Sequence, residues 1–141
     1  MELIRRDTDY ALRITAKLAK EYASKEAISA RLMSQEYKVS YPLACKLLQK
    51  LTHAGIVESI MGPKGGFRLA RDPATITLTQ IIEVIQGSIN VNKCVCGSFK
   101  CPLKCECGLH PKMLALQKQI YEYFNSLNLQ EFLLKENEND Q

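Results

Sequence analysis

The chain is expected to be mainly α-helical with one small β-hairpin: a winged helix-turn-helix head followed by a long C-terminal dimerisation helix. Three observations carry this expectation. Helical apolar spacing recurs in blocks up to His53, with only Lys38-Val39-Ser40 between the second block and the third. Two β-type runs then flank a Gly/Pro loop. After Pro111, one long block keeps its apolar residues on a single stripe.

In DYALRITAKLAKEYA, the spacing of Ala11, Ile14, Leu18 and Tyr22 predicts a first helix, with Asp7 or Thr8 as the residue that accepts from its free N–H groups. Ser29 is the expected cap of a second, short helix that runs to about Tyr37. In PLACKLLQKLTHAG, Leu43, Leu47 and Leu51 lie four apart with Leu48 beside them, Pro42 suits a first helical turn and Gly55 suits the left-handed residue past the end. Two helices joined by so short a turn read as helix-turn-helix. IVESI and FRL, on either side of MGPKGG, read as a two-stranded wing. Thr77-Leu78-Thr79-Gln80 has the form of a capping box opening a fourth helix, LTQIIEVIQ, that Gly87 ends. Pro111 marks the start of a final long helix, whose stripe is Met113, Leu116, Ile120, Phe124 and Leu127. That stripe either packs back on the first helix or meets its twin in a homodimer, and the second is preferred because no partner element is left in its own half of the chain. These elements place a DNA-binding head at residues 1–76, dimerisation helices at 77–135 with a cysteine-rich loop at 92–110, and a disordered polar tail at 136–141.

The 141 residues suffice to bury a core without disulfide staples. No apolar run approaches a membrane span, and MELIRRDTDYALR lacks the unbroken apolar stretch of a signal peptide, so a cytoplasmic protein is expected. The net charge of +4 is uneven, about +5 through residue 70 and −1 beyond it, which favours an anionic partner for the first half. Double-stranded DNA fits that charge and that motif. Ser40, Tyr41, Pro42 and Lys46 lie at the leading end of the third helix and Lys50 one turn on, while Lys64, Gly65, Gly66 and Arg68 belong to the wing, where the glycines allow backbone N–H groups to approach phosphate. No nucleophile–base pair, phosphate-cradling glycine loop or catalytic carboxylate couple is spaced for chemistry, so neither an enzyme nor a small-molecule substrate is expected.

Five of the six cysteines fall between Cys94 and Cys107, in the stretch CVCGSFKCPLKCECGLH. In a reducing compartment such clustering points to metal or redox chemistry. The pair spacing of zinc ribbons and the triple spacing of bacterial ferredoxins are both absent. Thiolates nonetheless favour iron-sulfur clusters and zinc, while Lys93, Lys100 and Lys104 among them would lower thiol pKa. Metal-free readings are a thiol-redox switch or an inert loop. Cys45, in the third helix, reads as a partly buried or DNA-facing small side chain, and His53 as an exposed polar residue.

TDYALR, LLQKLTHAGIVESIMGPKGGFRLAR, the cysteine loop and the last helix together resemble the IscR/NsrR-type winged-helix regulators, the Rrf2 family, over nearly the whole chain. The most specific piece is Cys101-x5-Cys107-x2-His110. The resemblance implies a homodimer on a palindromic or semi-palindromic operator, with an iron-sulfur cluster in each subunit, [2Fe-2S] in preference to [4Fe-4S], whose state sets DNA affinity. It implies Cys101 and Cys107 as ligands, with Cys94 slightly preferred to Cys96 as the first, and leaves the fourth open between His110, which matches the IscR-like choice, and Asp9. Asp9 matches the carboxylate that NsrR-like proteins offer as the fourth ligand in place of a histidine. Cys105 has no counterpart, and Cys45 and Met61 stand where IscR-like proteins have polar DNA contacts. Zinc in place of the cluster is the alternative cofactor.

Overall fold

Ala11, Ile14 and Leu18 occupy one face of α1 (Arg6–Lys20) and are buried. The computed structural model describes residues 2–103 and 106–133. In these, α1 is followed by α2 (Ala30–Glu36), α3 (Tyr41–His53), the strands β1 (Val57–Ile60) and β2 (Gly66–Leu69), α4 (Leu78–Gln86) and α5 (Leu109–Ser126), with short 3-10 turns at Pro73–Thr75, Lys93–Val95 and Leu129–Leu133. The fold is the expected one, mainly helical with a two-stranded antiparallel wing in the register Val57↔Leu69 to Ile60↔Gly66.

The start of α1 differs from expectation. Its first turn is preceded by Arg5, with no side-chain cap, while Asp7 and Asp9 lie inside the first turn, where their charge suits the helix dipole. Thr8 is buried and spends its hydroxyl on Gln86 Oε1 of α4, 2.7 Å away, so it is a tertiary contact rather than a cap. Tyr22 lies beyond the helix end and is exposed. The expected caps at Ser29 and Thr77 are as read, and Ser40 is a further one. Ser29 Oγ accepts from Leu32 N–H, Ser40 Oγ accepts from Leu43 N–H, and Thr77 and Gln80 form the reciprocal box. Such a cap contributes about 1 kcal/mol.

One core unites Ile14 and Leu18 of α1, Met33 of α2, Leu47, Leu48 and Leu51 of α3, Val57 and Leu69 of the wing, and Ile81 and Ile85 of α4. Each large side chain enclosed in this way contributes about 1.5–3 kcal/mol. The core crosses the line drawn after residue 76. Leu129 is fully buried in it, and the segment around Leu129 is stitched to the approach to α4: Leu78 N–H donates to Leu127 O and Leu129 N–H to Ile76 O, at 2.9 and 3.0 Å.

A second, smaller cluster explains where α5 lies. Ile120, Phe124 and Leu127 pack on Leu78, Ile82 and Ile89, joined by Ile4 and by Leu12 of α1. Part of the stripe thus has a partner within its own chain, because the loop after α4 folds α5 back against it. The covering is incomplete: no residue of α5 is buried, and Leu116, expected on the stripe, is exposed along with Leu109, Leu114, Tyr121 and Tyr123. The helix starts at Leu109 rather than at Pro111, which occupies the first turn, where its missing N–H costs no hydrogen bond. The tail assigned to 136–141 lies outside the described residues.

Candidate nucleic-acid interface and cysteine loop

The reading surface starts at the turn before α3, where Lys38 adopts a left-handed conformation (φ 53°) and Ser40 caps the helix. Ala44, Leu47, Leu48 and Leu51 face the core, which leaves Pro42, Lys46 and Gln49 to solvent and Lys50 half-buried. Ser40 Oγ is occupied as an acceptor by Leu43 N–H at 3.3 Å, so its hydroxyl proton is what it offers outward. Tyr41 is exposed, and the Arg31 guanidinium lies over its ring, 4.5 Å from the centroid. Arg31 is exposed at the first turn of α2, and the sequence reading passed over it; the signal was there, since a helix capped by Ser29 with Ala30 and Met33 inward turns position 31 outward. Cys45 is half-buried and packs against the core, as read.

In the wing, the glycines and Arg68 also have structural roles within the chain. Gly65 N–H donates to Gly62 O at 2.9 Å, so that donor is consumed by the turn itself. A Cβ on Gly65 would stand 2.3 Å from Ile60 O, and one on Gly66 (φ 154°) 2.5 Å from Ile28 O. Both positions require glycine to let the wing close on itself and on the strand-like bridge between Ile28 and Phe67. Arg68 is half-buried and engaged on the hairpin: its Nε donates to Glu58 Oε1 across it, and its Nη1 to Lys25 O at 3.1 Å. It is a strut between the wing and the segment after α1. Lys64 is exposed at the wing tip. Gly66→Ala should therefore lower stability by about 2 kcal/mol, read as a fall in Tm of several degrees, because the added methyl meets backbone on a fixed segment. A Tm equal to that of the parent chain would show that the wing does not need this close approach.

The cysteine loop is tied at its start. Gln117 of α5 donates from Nε2 to Ile89 O and accepts at Oε1 from Val91 N–H at 2.8 Å, which fixes where the chain leaves α4. Gln86 does the same for the N-terminus, accepting from Arg5 N–H and Thr8 Oγ1 and donating to Leu3 O. Neither glutamine was legible as functional, since a lone amide carries no spacing signal. Asn92 caps the 3-10 turn Lys93–Val95, which bears Cys94. Cys94, Cys96, Cys101 and Cys107 are free and half-buried; Cys105 lies outside the described residues. Cys96 Sγ lies 3.2 Å from Ser98 Oγ, and hydrogen bonding from Ser98 lowers its thiol pKa. The expected lysine effect is not the cause there: Lys93 Nζ sits over the Phe99 ring, 4.8 Å from its centroid.

His110 is half-buried in the first turn of α5, and its Nδ1 is enclosed without a hydrogen-bond partner. An enclosed ring nitrogen left unpaired costs about 1–3 kcal/mol unless something outside the chain binds it. Asp9 instead pairs with Arg13 at 2.9 Å along α1. Among the described residues no three of His, Cys, Asp and Glu are gathered as a set to hold one metal ion. The donor chemistry does fit an iron-sulfur group, with soft thiolates along the loop and an unpartnered imidazole at its end.

Residues 4–135 match the model of the Rrf2 family, described as an iron-dependent transcriptional regulator. The chain belongs to the Rrf2 family. It is thus a transcriptional regulator of a DNA-binding family and not an enzyme. This Rrf2 protein is 36% identical over 125 residues to Protein aau3 of Rhizobium meliloti (strain 1021), covering 86% of this chain and 77% of that one. It is 30% identical over 117 residues to the HTH-type transcriptional regulator IscR of Vibrio vulnificus (strain YJ016), covering 83% of this chain and 68% of the other. Among solved structures, CymR, the global cysteine regulator of B. subtilis, superposes with a TM-score of 0.75 at 28% identity, over 92% of this chain and 95% of that one. No helix of this Rrf2 protein, among the described residues, is long and apolar enough to cross a membrane.

Proposed function

We propose that this Rrf2 protein is a homodimeric cytoplasmic regulator of a palindromic operator, with an iron-sulfur cluster in the loop between α4 and α5 setting its DNA affinity. The single observation that carries the reading is the cysteine loop, anchored by Gln117 at one end and ending on His110 with its unpaired Nδ1 at the other. The ligands would be Cys94 or Cys96, then Cys101 and Cys107, with His110 as the fourth or Asp9 offered by the second subunit. The cluster, [2Fe-2S] in preference to [4Fe-4S], supplies a reversible response to oxidant, nitric oxide or iron supply.

The chain's own residues convert loop order into reading geometry. Ile81 and Ile85 of α4 share a core with Leu47 and Leu48 of α3, so a change in how the loop holds α4 against α5 is passed to the reading helix by rigid packing. A dimer has to match two half-sites one or more helical turns apart, and a small tilt penalises both. A hundredfold change in affinity needs only about 2.7 kcal/mol of differential binding. Ser40, Tyr41, Pro42, Lys46 and Lys50 on the reading helix, with Arg31 beside Tyr41 and Lys64 on the wing, are the proposed contacts. Gly65, Gly66 and Arg68 hold the wing in shape.

Lys46→Ala and Lys64→Ala should each flatten the dependence of log affinity on log salt by about one unit, the signature of one lost phosphate contact. Filter binding or fluorescence anisotropy from low to moderate salt measures this, and an unchanged slope removes that lysine from the interface. A metal-free thiol switch is the second reading. It is favoured by the lowered pKa of Cys96, since the thiolate is the form that forms disulfides. Mass spectrometry after mild peroxide treatment separates the two, because a reversible disulfide in iron-free protein with retained regulation belongs to the thiol switch alone.

A further inference from the structure

Met61 is 91% exposed, more than any other exposed large hydrophobic residue among those described. A lone exposed apolar side chain is ordinary on a protein surface. This one occupies an unusual place. It follows β1 directly, ahead of a tip formed by Gly62 (φ 109°), Pro63 and Lys64. The tip is held from behind at three points: the Glu58–Arg68 ion pair, the bond from Arg68 to Lys25 O, and the paired bonds between Ile28 and Phe67, both 2.8 Å. The wing therefore presents a flexible thioether on a stiff support, beside an exposed cation and on the half of the chain that carries the positive excess.

We infer that Met61 is an apolar wedge that enters the DNA minor groove at a base step and partly unstacks it, so that the wing reads the step by its deformability rather than by a hydrogen-bond pattern. The inference rests on the DNA-binding reading above and deepens it. The minor groove presents nearly the same acceptors for A·T and T·A pairs, so a side chain there gains selectivity chiefly through shape and ease of unstacking. Apolar side chains, methionine among them, serve in this way in proteins that kink DNA, and pyrimidine–purine steps yield most readily. Lys64 supplies the neighbouring phosphate contact that keeps the tip in the groove. A protein partner is disfavoured as the occupant, because the positive tip suits a polyanion and a single methionine offers little area to a protein surface.

The test uses the duplex that the full chain, prepared without oxygen, selects from a random-sequence pool. With 2-aminopurine placed in turn at each step within reach of the wing, the parent protein should raise its fluorescence at one step per half-site. Met61→Ala should abolish that signal, weaken binding about tenfold and erase the preference for a pyrimidine–purine step there, with the salt slope unchanged. Met61→Leu should retain all three properties, whereas Lys64→Ala should lower the slope. At 91% exposure neither Met61 variant threatens folding. If the parent chain selects a duplex but no step unstacks, or Met61→Ala binds and discriminates as the parent does, the wedge is overturned and DNA binding stands. A chain that selects no duplex overturns both.

Discussion

Replacing Cys107 with alanine should leave the protein colourless, with loss of essentially all its iron and sulfide, while Cys45→Ala keeps both. The parent chain, purified without oxygen, should be coloured and carry iron and sulfide in nearly equal amounts. The contrast between the two cysteines is physical. Cys45 packs against the core on α3, whereas Cys107 stands half-buried two residues before α5, in a stretch (92–108) whose described residues belong to neither apolar cluster. A thiol in the loop is thus available to a metal at no cost in packing. Cys101→Ala should match Cys107→Ala, and comparison of Cys94→Ala with Cys96→Ala identifies the first ligand by which of them loses the colour. His110→Ala should shift the absorption and electron-resonance spectra if its Nδ1 is a ligand. A parent protein that is colourless and binds one zinc per chain would end the cluster reading and leave a zinc-stabilised regulator, and one that binds no metal would favour the thiol switch.

Leu116→Lys combined with Tyr123→Lys should turn a dimer into a monomer and weaken operator binding a hundredfold or more, the loss expected when two linked reading heads become independent. Both residues lie on one flank of α5, seven apart, and are 41% and 62% exposed; Leu114 and Tyr121 form the opposite flank in the same way. Between the flanks, Ile120 and Phe124 rest against α4. An apolar arc about half the circumference of a helix, covered only along its centre, is the surface that a second copy would complete. Because these side chains are exposed in the single chain, their replacement should leave the helical signal in circular dichroism unchanged, and light scattering reads the mass directly. A parent chain that is monomeric at micromolar concentration, or a double variant that stays dimeric, would remove α5 from the interface.

The reading head was legible because its signals are local. Ser29, Ser40 and the Thr77–Gln80 pair are caps whose side chains bond within three residues, and the spacing of Leu43, Leu47 and Leu51 sets which face of α3 turns inward whatever it meets. The same locality misled at Thr8, which has the chemistry of a cap but bonds Gln86, 78 residues away. Arg68 reads as a free cation on a strand, whereas in the fold it bonds Glu58 and Lys25 O. The wing glycines read as permissive toward a ligand, yet Gly66 is required by a backbone from another part of the chain, Ile28. In the loop, the sequence already pointed to the thiols and to His110, and the geometry added that the His110 Nδ1 is enclosed and unpaired and that Ser98 is the group acting on Cys96.

For this protein the amino-acid order by itself determined the helices, the caps at Ser29 and Thr77, the wing and the family, because each depends on interactions within a few residues or on a pattern that any fold would have to bury. Tertiary structure alone decided that Leu129 closes the core of the head, that α5 folds back on α4 and leaves its flanks bare, and that Arg68 braces the wing while Met61 projects from it. These outcomes join residues far apart in the chain, and no local pattern records which distant surface a side chain will find once the core has collapsed.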